Sequence, residues 1–419
     1  MPARVRDVRM RGFRERATVA DATAILERRI GALGGEVVTL SAASGRLVLE
    51  DVVARVSVPH FARAAMDGYA LAAAATARAT AASPTLLRIA GDALPGRPFA
   101  GALGAGHALR ITTGAPLPEG ADAVLMAEHA EEIERDGGAS LVVRAPVAAR
   151  KHVGAIGEDV AAGVVVVRAG RRLRPQDLGV LASVGAGRVL VVRRPAVRIV
   201  ITGDELLPPG EAPSGACIAD ANGPMLEALA WRDGAASVEV VRVRDDRERV
   251  REAMISGSPD VVLISGGSSV GPEDHAPLVL AEAGELTVHG VALRPAGPAG
   301  FGFLGARPVF LLPGNPVSCL CAYELFAGPS VRALGGLPRG LPHARRRCRA
   351  AEKLPSELGR TDYMRVRVEG DRVFPIMTSG ASILSSTTRA DGFVILGDDC
   401  EGLAEGTEVD VRLYDVPDR

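Results

Sequence analysis

From about residue 196 onward, the sequence alternates between short apolar runs and segments with helical spacing. Four runs, VRIVIT (197–202), SVEVVRV (237–243), VVLIS (261–265) and RPVFLLPG (307–314), are each followed by a helical segment. Strands that alternate with helices in this way predict a doubly wound, mostly parallel sheet. The segment 285–305, before the last run, is predicted to be a β excursion. Asp245 or Asp246 is predicted to cap the helix after the second run.

The rest of the chain is predicted to be mostly β structure. A helix is expected over residues 18–34, where apolar side chains recur at helical spacing and the segment ends at glycines. Residues 62–146 contain only short strand-like runs broken by Pro and Gly, and the chain returns to a β pattern after about residue 340. We therefore expect an α/β multidomain protein in which two small β domains accompany the sheet domain.

Composition limits the functions that this chain can have. Its 419 residues are 47% hydrophobic, which is enough for several cores, and its net charge is −1. A balanced charge does not favour nucleic acid as a partner. No apolar run reaches the roughly 18 residues of a membrane span. The five cysteines have neither disulfide nor zinc-site spacing, so we expect reduced thiols in a cytoplasmic protein.

The loops after the four strands contain the polar residues that can do chemistry. In a sheet of this kind, ligands bind beyond the carboxyl ends of the strands, so these loops are expected to meet at one edge. Their candidate residues are Gly203, Asp204 and Glu205; Arg244, Asp245 and Asp246; Ser265, Gly266, Gly267, Ser268, Ser269 and Asp274; and Gly314, Asn315, Pro316 and Ser318.

The loop after the third strand has the composition of an anion-binding site. Gly266 and Gly267 permit positive φ values, and their N–H groups, with nearby serine hydroxyls, can bind phosphate. Carboxylates beside such a site repel phosphate unless a cation lies between them. Glu205, Asp245 and Asp274 are therefore predicted to hold Mg²⁺, which takes one or two carboxylates plus phosphate oxygens. The alternative for each single acid is a helix cap or a solvated turn.

Taken together, motifs in the same order along most of the chain resemble the MoeA family of molybdopterin molybdenumtransferases, whose eukaryotic relatives include the gephyrin E domain. The matching segments are 66–70 (MDGYA), 110–124 (RITTGAPLPEGADAV), 157–159 (GED), 202–206 (TGDEL), Asp220 with Asn222, 265–268 (SGGS), Asp274 and 312–318 (LPGNPVS). The resemblance implies four subdomains. They are an elongated α+β domain formed by residues 1–61 and 147–195, an inserted β domain (62–146), a molybdopterin-binding α/β domain (196–338) and a C-terminal β-barrel (339–419).

The resemblance also implies an activity. Family members bind adenylylated molybdopterin (molybdopterin-AMP), insert molybdate at its dithiolene and release AMP with the help of Mg²⁺. The implied catalytic residues are Asp67, Thr113, Asp159, Glu205, Asp245, Asp274 and Arg294, of which Glu205 and Asp274 hold Mg²⁺. The implied cofactor-binding residues are Thr202, Gly203, Asp204, Asp220, Asn222, Ser265, Gly266, Gly267, Ser268, Pro313, Gly314, Asn315, Pro316 and Ser318.

The resemblance further implies a homodimer and a substrate donor. Asp67, Thr113 and Asp159 are expected to face the sheet edge of the other subunit. A molybdopterin adenylyltransferase is the expected donor of the adenylylated substrate.

Several positions depart from the family's pattern. The family usually has K-P-G-K-P in the excursion, whereas here Arg294 replaces the first lysine and Gly297 the second. Gly290 stands where an upstream lysine is usual, and Gly154 where an arginine is usual. Three cations expected to face an anionic substrate are thus missing. Each such charge-assisted contact contributes about 1–3 kcal/mol to the free energy of binding. Residues close in sequence that can compensate are Arg150, Lys151 and His289.

The sequence leaves three functions open. The retained acids favour an enzyme that inserts molybdate, and the missing lysines favour a paralogue that only binds or delivers molybdopterin. A related enzyme that inserts tungstate is the third possibility. Release of AMP from the loaded protein on addition of Mg²⁺ with molybdate or tungstate separates the three.

Overall fold

The computed structural model describes residues 16–267, 274–376 and 382–415. These residues form two compact units: unit I, residues 37–191, and unit II, residues 16–36 together with 192–415. Each unit has hydrophobic cores of its own. In the described part of the chain, no helix is both long enough and apolar enough to cross a membrane.

Helix α1 (Val19–Arg29) belongs to unit II, although it comes first in the chain. The hydroxyl of Thr18 caps it by accepting a hydrogen bond from the Asp21 N–H at 3.0 Å. Ala22 and Leu26, one turn apart, are buried in the same core as the α/β sheet. The helix ends at Arg29, before the predicted end at residue 34.

Short strands form most of unit I. In chain order, the elements are β1 (Gly35–Thr39), α2 (Leu40–Ala43), β2 (Val52–Val53), β3 (Arg63–Ala64), β4 (Gly68–Leu71), β5 (Thr85–Ala93), β6 (His107–Ile111), β7 (Ala123–Met126), β8 (Glu131–Arg135), β9 (Gly138–Val143), β10 (Val153–Gly154), β11 (Val165–Val167), α3 (Pro175–Ser183) and β12 (Arg188–Val192). Six of them form a sheet in the order β7-β4-β6-β5-β9-β8. This sheet lies within residues 62–146, where a small β domain was expected.

Unit II continues with the alternation of strands and helices. Its elements up to residue 334 are β13 (Ala196–Thr202), β14 (Leu206–Leu207), β15 (Ile218–Ala219), α4 (Asn222–Arg232), β16 (Ser237–Val243), α5 (Arg247–Ile255), β17 (Val261–Ser265), α6 (Ala276–Ala283), β18 (Glu285–His289), β19 (Leu293–Arg294), β20 (Gly300–Leu304), β21 (Arg307–Leu312), α7 (Pro316–Ala322) and α8 (Gly328–Leu334). A turn of π-helix (Tyr323–Ala327) connects the last two helices.

The main sheet of unit II has the order β16-β13-β17-β21-β20-β18. The first four strands are parallel, whereas β20 and β18 are antiparallel additions that form the predicted excursion. Alternate residues of β17 enter different cores: Val261 and Leu263 pack on one side, and Val262 and Ile264 on the other. Both faces of the sheet are therefore covered, which confirms the doubly wound fold.

The C-terminal part of unit II is a small barrel. Its elements are β22 (Ala344–Ala350), β23 (Leu354–Pro355), β24 (Thr361–Glu369), β25 (Arg372–Pro375), α9 (Ser385–Thr388), β26 (Gly392–Leu396), β27 (Gly402–Leu403) and β28 (Glu408–Leu413). The strand order β24-β25-β22-β28-β26 is closed by pairing of β26 with β24, and β19 of the excursion adds to β24. The multidomain α/β fold class is thus confirmed, while the division into four subdomains stays a prediction.

Candidate functional site

A cavity of about 630 Å³ lies at the carboxyl ends of β13, β17 and β21. The chain leaves β13 toward β16 on one side and returns to β17 on the other, so the cavity lies at the topological switch point of the sheet. Predicted residues that line it are Thr202, Gly203, Glu205, Asp220, Asn222, Asp245, Ser265, Gly266, Gly267, Asp274, Pro313, Gly314, Asn315 and Pro316. Asp204, Arg294 and Ser318 are not among the described lining residues. Ser268 falls in the segment 268–273, outside the described residues.

The turn after β17 explains why two glycines follow this strand. Gly266 has a φ of 95° and Gly267 a φ of 53°, values that L side chains rarely adopt. A Cβ on Gly266 would lie 2.1 Å from the carbonyl oxygen of Thr202, so a side chain at this position clashes with the end of β13. The backbone N–H groups of this turn can therefore approach a ligand without obstruction by a Cβ atom.

Asn222, at the start of α4, connects two of the loops. Its side-chain NH₂ donates to the Ser265 hydroxyl at 2.9 Å and to the Gly314 carbonyl at 2.7 Å. A carbonyl only accepts, so the amide nitrogen faces Gly314 and Oδ1 points elsewhere. Oδ1 is buried and accepts no hydrogen bond from the described residues. Burial raises the pKa of the neighbouring Cys319 thiol to about 12, so this cysteine stays protonated and is no nucleophile.

The adjacent acids Asp245 and Asp246 have different partners. Asp246 caps α5, because its carboxylate accepts the Arg249 N–H at 2.9 Å. Asp245 instead accepts the Thr202 hydroxyl at 2.5 Å and the Asp204 N–H at 3.3 Å. The helix-cap interpretation therefore holds for Asp246, and Asp245 is the acid that lines the cavity.

Three other carboxylates line the cavity. Asp220 is 4% exposed and pairs with Arg242 through Nε at 3.2 Å and Nη2 at 3.1 Å. Glu205 is exposed and Asp274 is half-buried. In the described part of the chain, no three His, Cys, Asp or Glu side chains are placed to hold a metal ion. Mg²⁺ takes one or two carboxylates and completes its coordination with phosphate oxygens and water, and the two predicted ligands, Glu205 and Asp274, both line the cavity.

Arg294 lies on β19 and is engaged with the barrel. Its Nε and Nη2 donate to the two carboxylate oxygens of Asp362 at 2.8 and 3.0 Å. Asp362 is 2% exposed, so this is the ion pair of a buried carboxylate. Nη1 takes no part in the pair. The role of Arg294 as a substrate clamp stays a prediction.

The predicted residues of unit I lie on segments that are joined to one another. The carboxylate of Asp67 accepts hydrogen bonds from the Thr113 N–H at 2.6 Å and its hydroxyl at 2.8 Å, which lower the pKa of Asp67 below its ordinary value. Strand β3, just before Asp67, pairs with β10, just before the segment that contains Asp159. Asp67, Thr113 and Asp159 are all exposed.

An anionic ligand requires positive charge, which the described part of the cavity wall does not supply. None of the described residues that line it is Lys, Arg or His. Sequence analysis did not predict six of the lining residues, which are Leu206, Ile218, Ala219, Ala221, Pro298 and Ser382. Pro298 follows the excursion's glycine at 297. Ser382 belongs to a part of the chain where nothing in the sequence indicated a contribution to the sheet edge.

A doubly wound sheet with a ligand-sized cavity at its switch point, followed by a small barrel, defines a class of multidomain α/β proteins. Three family profiles match: the MoeA N-terminal region (domain I and II) at residues 17–185, a probable molybdopterin binding domain at 198–333, and the MoeA C-terminal region (domain IV) at 347–414. The cavity belongs mainly to the second of these segments.

Similar proteins agree with these profiles. The chain is 34% identical over 384 residues to a putative molybdopterin biosynthesis protein of Methanocaldococcus jannaschii, covering 88% of this chain and 90% of that one. It is 33% identical over 389 residues to molybdopterin molybdenumtransferase 2 of Mycobacterium tuberculosis, covering 89% and 94%. The crystal structure of a molybdopterin biosynthesis MoeA protein from Pyrococcus horikosii matches with a TM-score of 0.80 at 34% identity, covering 96% and 100%. This chain therefore belongs to the MoeA family, as its motifs indicated.

Proposed function

We propose that this protein is a molybdopterin molybdenumtransferase, which inserts molybdate into adenylylated molybdopterin and releases AMP. The observation that carries the proposal is the cavity at the switch point, where a glycine turn and four carboxylates converge in the segment matched by the molybdopterin-binding profile. Relatives that align over most of their length are named for this activity. The N–H groups of the turn can bind the phosphate groups of this substrate, and the carboxylates can bind a magnesium ion.

Two features of the cavity support binding of the pterin and its phosphates. The N–H groups of the Gly266–Gly267 turn are unobstructed donors for phosphate oxygens. The buried Oδ1 of Asn222, which accepts nothing from the described residues, can accept an N–H of the pterin ring. Binding then satisfies an acceptor whose burial otherwise costs about 1–3 kcal/mol.

Glu205 and Asp274 would hold Mg²⁺ through their carboxylates. A bound Mg²⁺ neutralises the charge of phosphate oxygens and lets them approach a cavity lined by acids. Asp245 is held by Thr202 and the backbone of Asp204, so its carboxylate is positioned to accept a proton from a water that attacks phosphorus. Arg294 would contribute through Nη1, since its other two nitrogens are engaged by Asp362.

We further propose that the working form is a homodimer. Asp67, Thr113 and Asp159 of the partner subunit would complete the site, as the family resemblance implies. The substrate would come from a molybdopterin adenylyltransferase, because adenylylated molybdopterin is the product of such an enzyme.

The test is to load the protein with adenylylated molybdopterin, add Mg²⁺ and molybdate, and measure AMP by chromatography. We expect AMP release that stops when a chelator removes Mg²⁺. We expect Asp274→Ala to abolish turnover while substrate affinity changes little, because a metal-positioning carboxylate acts mostly in the transition state. Equal losses of affinity and turnover in this variant would indicate a structural role instead. Tungstate in place of molybdate, and the two in competition, tests which anion is used.

The second candidate is a protein that binds or delivers molybdopterin without inserting the metal. It is favoured by one observation, the lack of a basic side chain among the described residues of the cavity wall. Tight binding of adenylylated molybdopterin without AMP release under any of these conditions would support this candidate and refute the first.

A further inference from the structure

The segment just before α1 is hydrogen-bonded to the excursion of the main sheet. The Ala17 N–H donates to the Gly290 carbonyl at 3.1 Å, and the Ala17 carbonyl accepts the Ala292 N–H at 2.8 Å. Ala17 thereby forms a parallel bridge with Val291. The backbone on either side of Ala17 is held against the excursion, so the position of Arg16 is set by the fold of unit II.

The guanidinium of Arg16 lies against Gly297. A Cβ built on Gly297 would be 3.7 Å from both Cζ and Nη1 of Arg16. Any longer side chain at position 297 would therefore point toward the place that this guanidinium occupies. The next residue, Pro298, lines the cavity. Arg16 is not among the described lining residues, so its positive charge lies against the residue next to one that lines the cavity.

The described wall of the cavity needs a compensating positive charge. Four carboxylates line the cavity, and no described residue of its wall is basic. An oxyanion substrate is repelled by such a wall unless cations compensate. Arginine suits this task, because its planar guanidinium remains charged and binds oxyanions through two parallel N–H donors.

We propose that Arg16 is a substrate-binding residue of the cavity, which supplies from the start of the chain the cation that position 297 does not. Its ligand is a tetrahedral oxyanion, which the substrates offer as pyrophosphate and as molybdate. The inference rests on the proposed function only in the identity of these anions. The binding role itself is measured without turnover.

The experiment is isothermal titration of the purified full-length protein with pyrophosphate and, separately, with molybdate, each in the presence of Mg²⁺. Removal of one charge-assisted contact corresponds to about a tenfold loss of affinity. We expect Arg16→Ala to lose about tenfold for one of the two anions, and the anion affected identifies the ligand. Arg16→Lys, which keeps the charge but not the paired donors, is expected to lose less. Arg28→Ala is the matched control, because it removes an equal charge from an exposed position in the last turn of α1.

Gly297 offers a rescue that a merely structural role of Arg16 would not allow. A Cβ at this position makes only ordinary van der Waals contacts, so Gly297→Lys fits, and Arg16→Ala leaves room for its ammonium group. We expect Arg16→Ala/Gly297→Lys to regain most of the lost affinity. Gly290→Lys in the same background is the contrasting variant, because Gly290 has a φ of 94°, which strains any side chain. It is expected to restore nothing.

Unchanged affinity of Arg16→Ala for both anions overturns the proposal, as does a wild-type protein that binds neither. A loss of anion affinity in Arg16→Ala that Gly297→Lys does not rescue also overturns the proposal. The loss would then come from a change of structure and not from the missing charge. Thermal unfolding of each variant checks that it is folded. These outcomes differ from failure of the proposed function, in which AMP is not released although the wild type binds both anions.

Discussion

Replacement of Arg294 by alanine removes the bidentate partner of a buried carboxylate. Asp362 is 2% exposed and receives two hydrogen bonds from Arg294, at 2.8 and 3.0 Å. In the variant it would keep the Ser356 hydroxyl at 2.7 Å and the Nε of Arg360 at 3.3 Å. The Arg360 nitrogen makes no hydrogen bond within the described residues, so it compensates only in part.

The loss of stability follows from this geometry. Removal of one member of a buried ion pair costs about 3–5 kcal/mol, because the other charge is left without its partner. The Arg294 side chain is 33% exposed and Asp362 keeps other partners, so we expect the lower part of this range or less, about 2 kcal/mol. Urea denaturation followed by circular dichroism measures the difference as a lower midpoint with an unchanged slope.

Two comparisons make this prediction specific. Arg349→Ala is the matched control, because Arg349 pairs with Glu408 in the same barrel but both side chains are more than half exposed. It is expected to change the free energy of unfolding by less than about 0.5 kcal/mol. In a double-mutant cycle of Arg294→Ala and Asp362→Ala, the losses of unfolding free energy in the two single variants should not add up in the double variant. A free energy of unfolding for Arg294→Ala equal to that of the control would refute the reasoning.

Three further variants test individual contacts. Asp246→Ala removes the cap of α5 and is expected to lower stability by about 1 kcal/mol with unchanged pyrophosphate binding, whereas Asp245→Ala should affect the chemistry of the cavity and not the cap. Thermal unfolding and the AMP-release assay compare the two, and a reversed pattern would contradict the assignment. Gly266→Ala is expected to lower stability by at least about 2 kcal/mol, because its Cβ would lie 2.1 Å from the carbonyl oxygen of Thr202 at a φ of 95°; an unchanged unfolding midpoint would show that the turn relaxes. The hydrogen bond from the Arg110 guanidinium, with a second from the Tyr69 hydroxyl, lowers the pKa of Glu132 to about 2. A carboxyl with a lowered pKa stabilises the fold above its ordinary pKa near 4.5, and this contribution is lost as the pH falls toward 2. Glu132→Gln should therefore reduce the acid-induced loss of stability over this range, by about 1 kcal/mol after solvent screening, and equal pH profiles for variant and wild type would contradict this.

Much of the α/β part of the chain could be predicted because its signals are local. The strands that end at Thr202 and Ser265 and the helices after them follow from the period of apolar residues. The glycines at 266 and 267 predict a turn with positive φ, and both residues have a positive φ in the structure. The convergence of loops on one edge follows from the parallel order of the strands.

The partners of charged side chains could not be predicted in this way. Asp245 and Asp246 are equivalent candidates for the cap in the sequence, and only the packing of β13 against α5 and β16 decided which of them faces the cavity. The pair of Arg294 with Asp362 likewise depends on the addition of β19 to the barrel. No local pattern indicates a contact between residues so far apart in sequence.

The sequence by itself determined the strands and helices of the main sheet, the tight turn after β17 and the family of the chain, because backbone preferences and motif order are properties of neighbouring residues. The tertiary structure decided where the charges are. It engaged Arg294 with the barrel and placed Arg16 beside Gly297. Electrostatic partners are chosen by distance in space, and that distance exists only once remote segments have packed together.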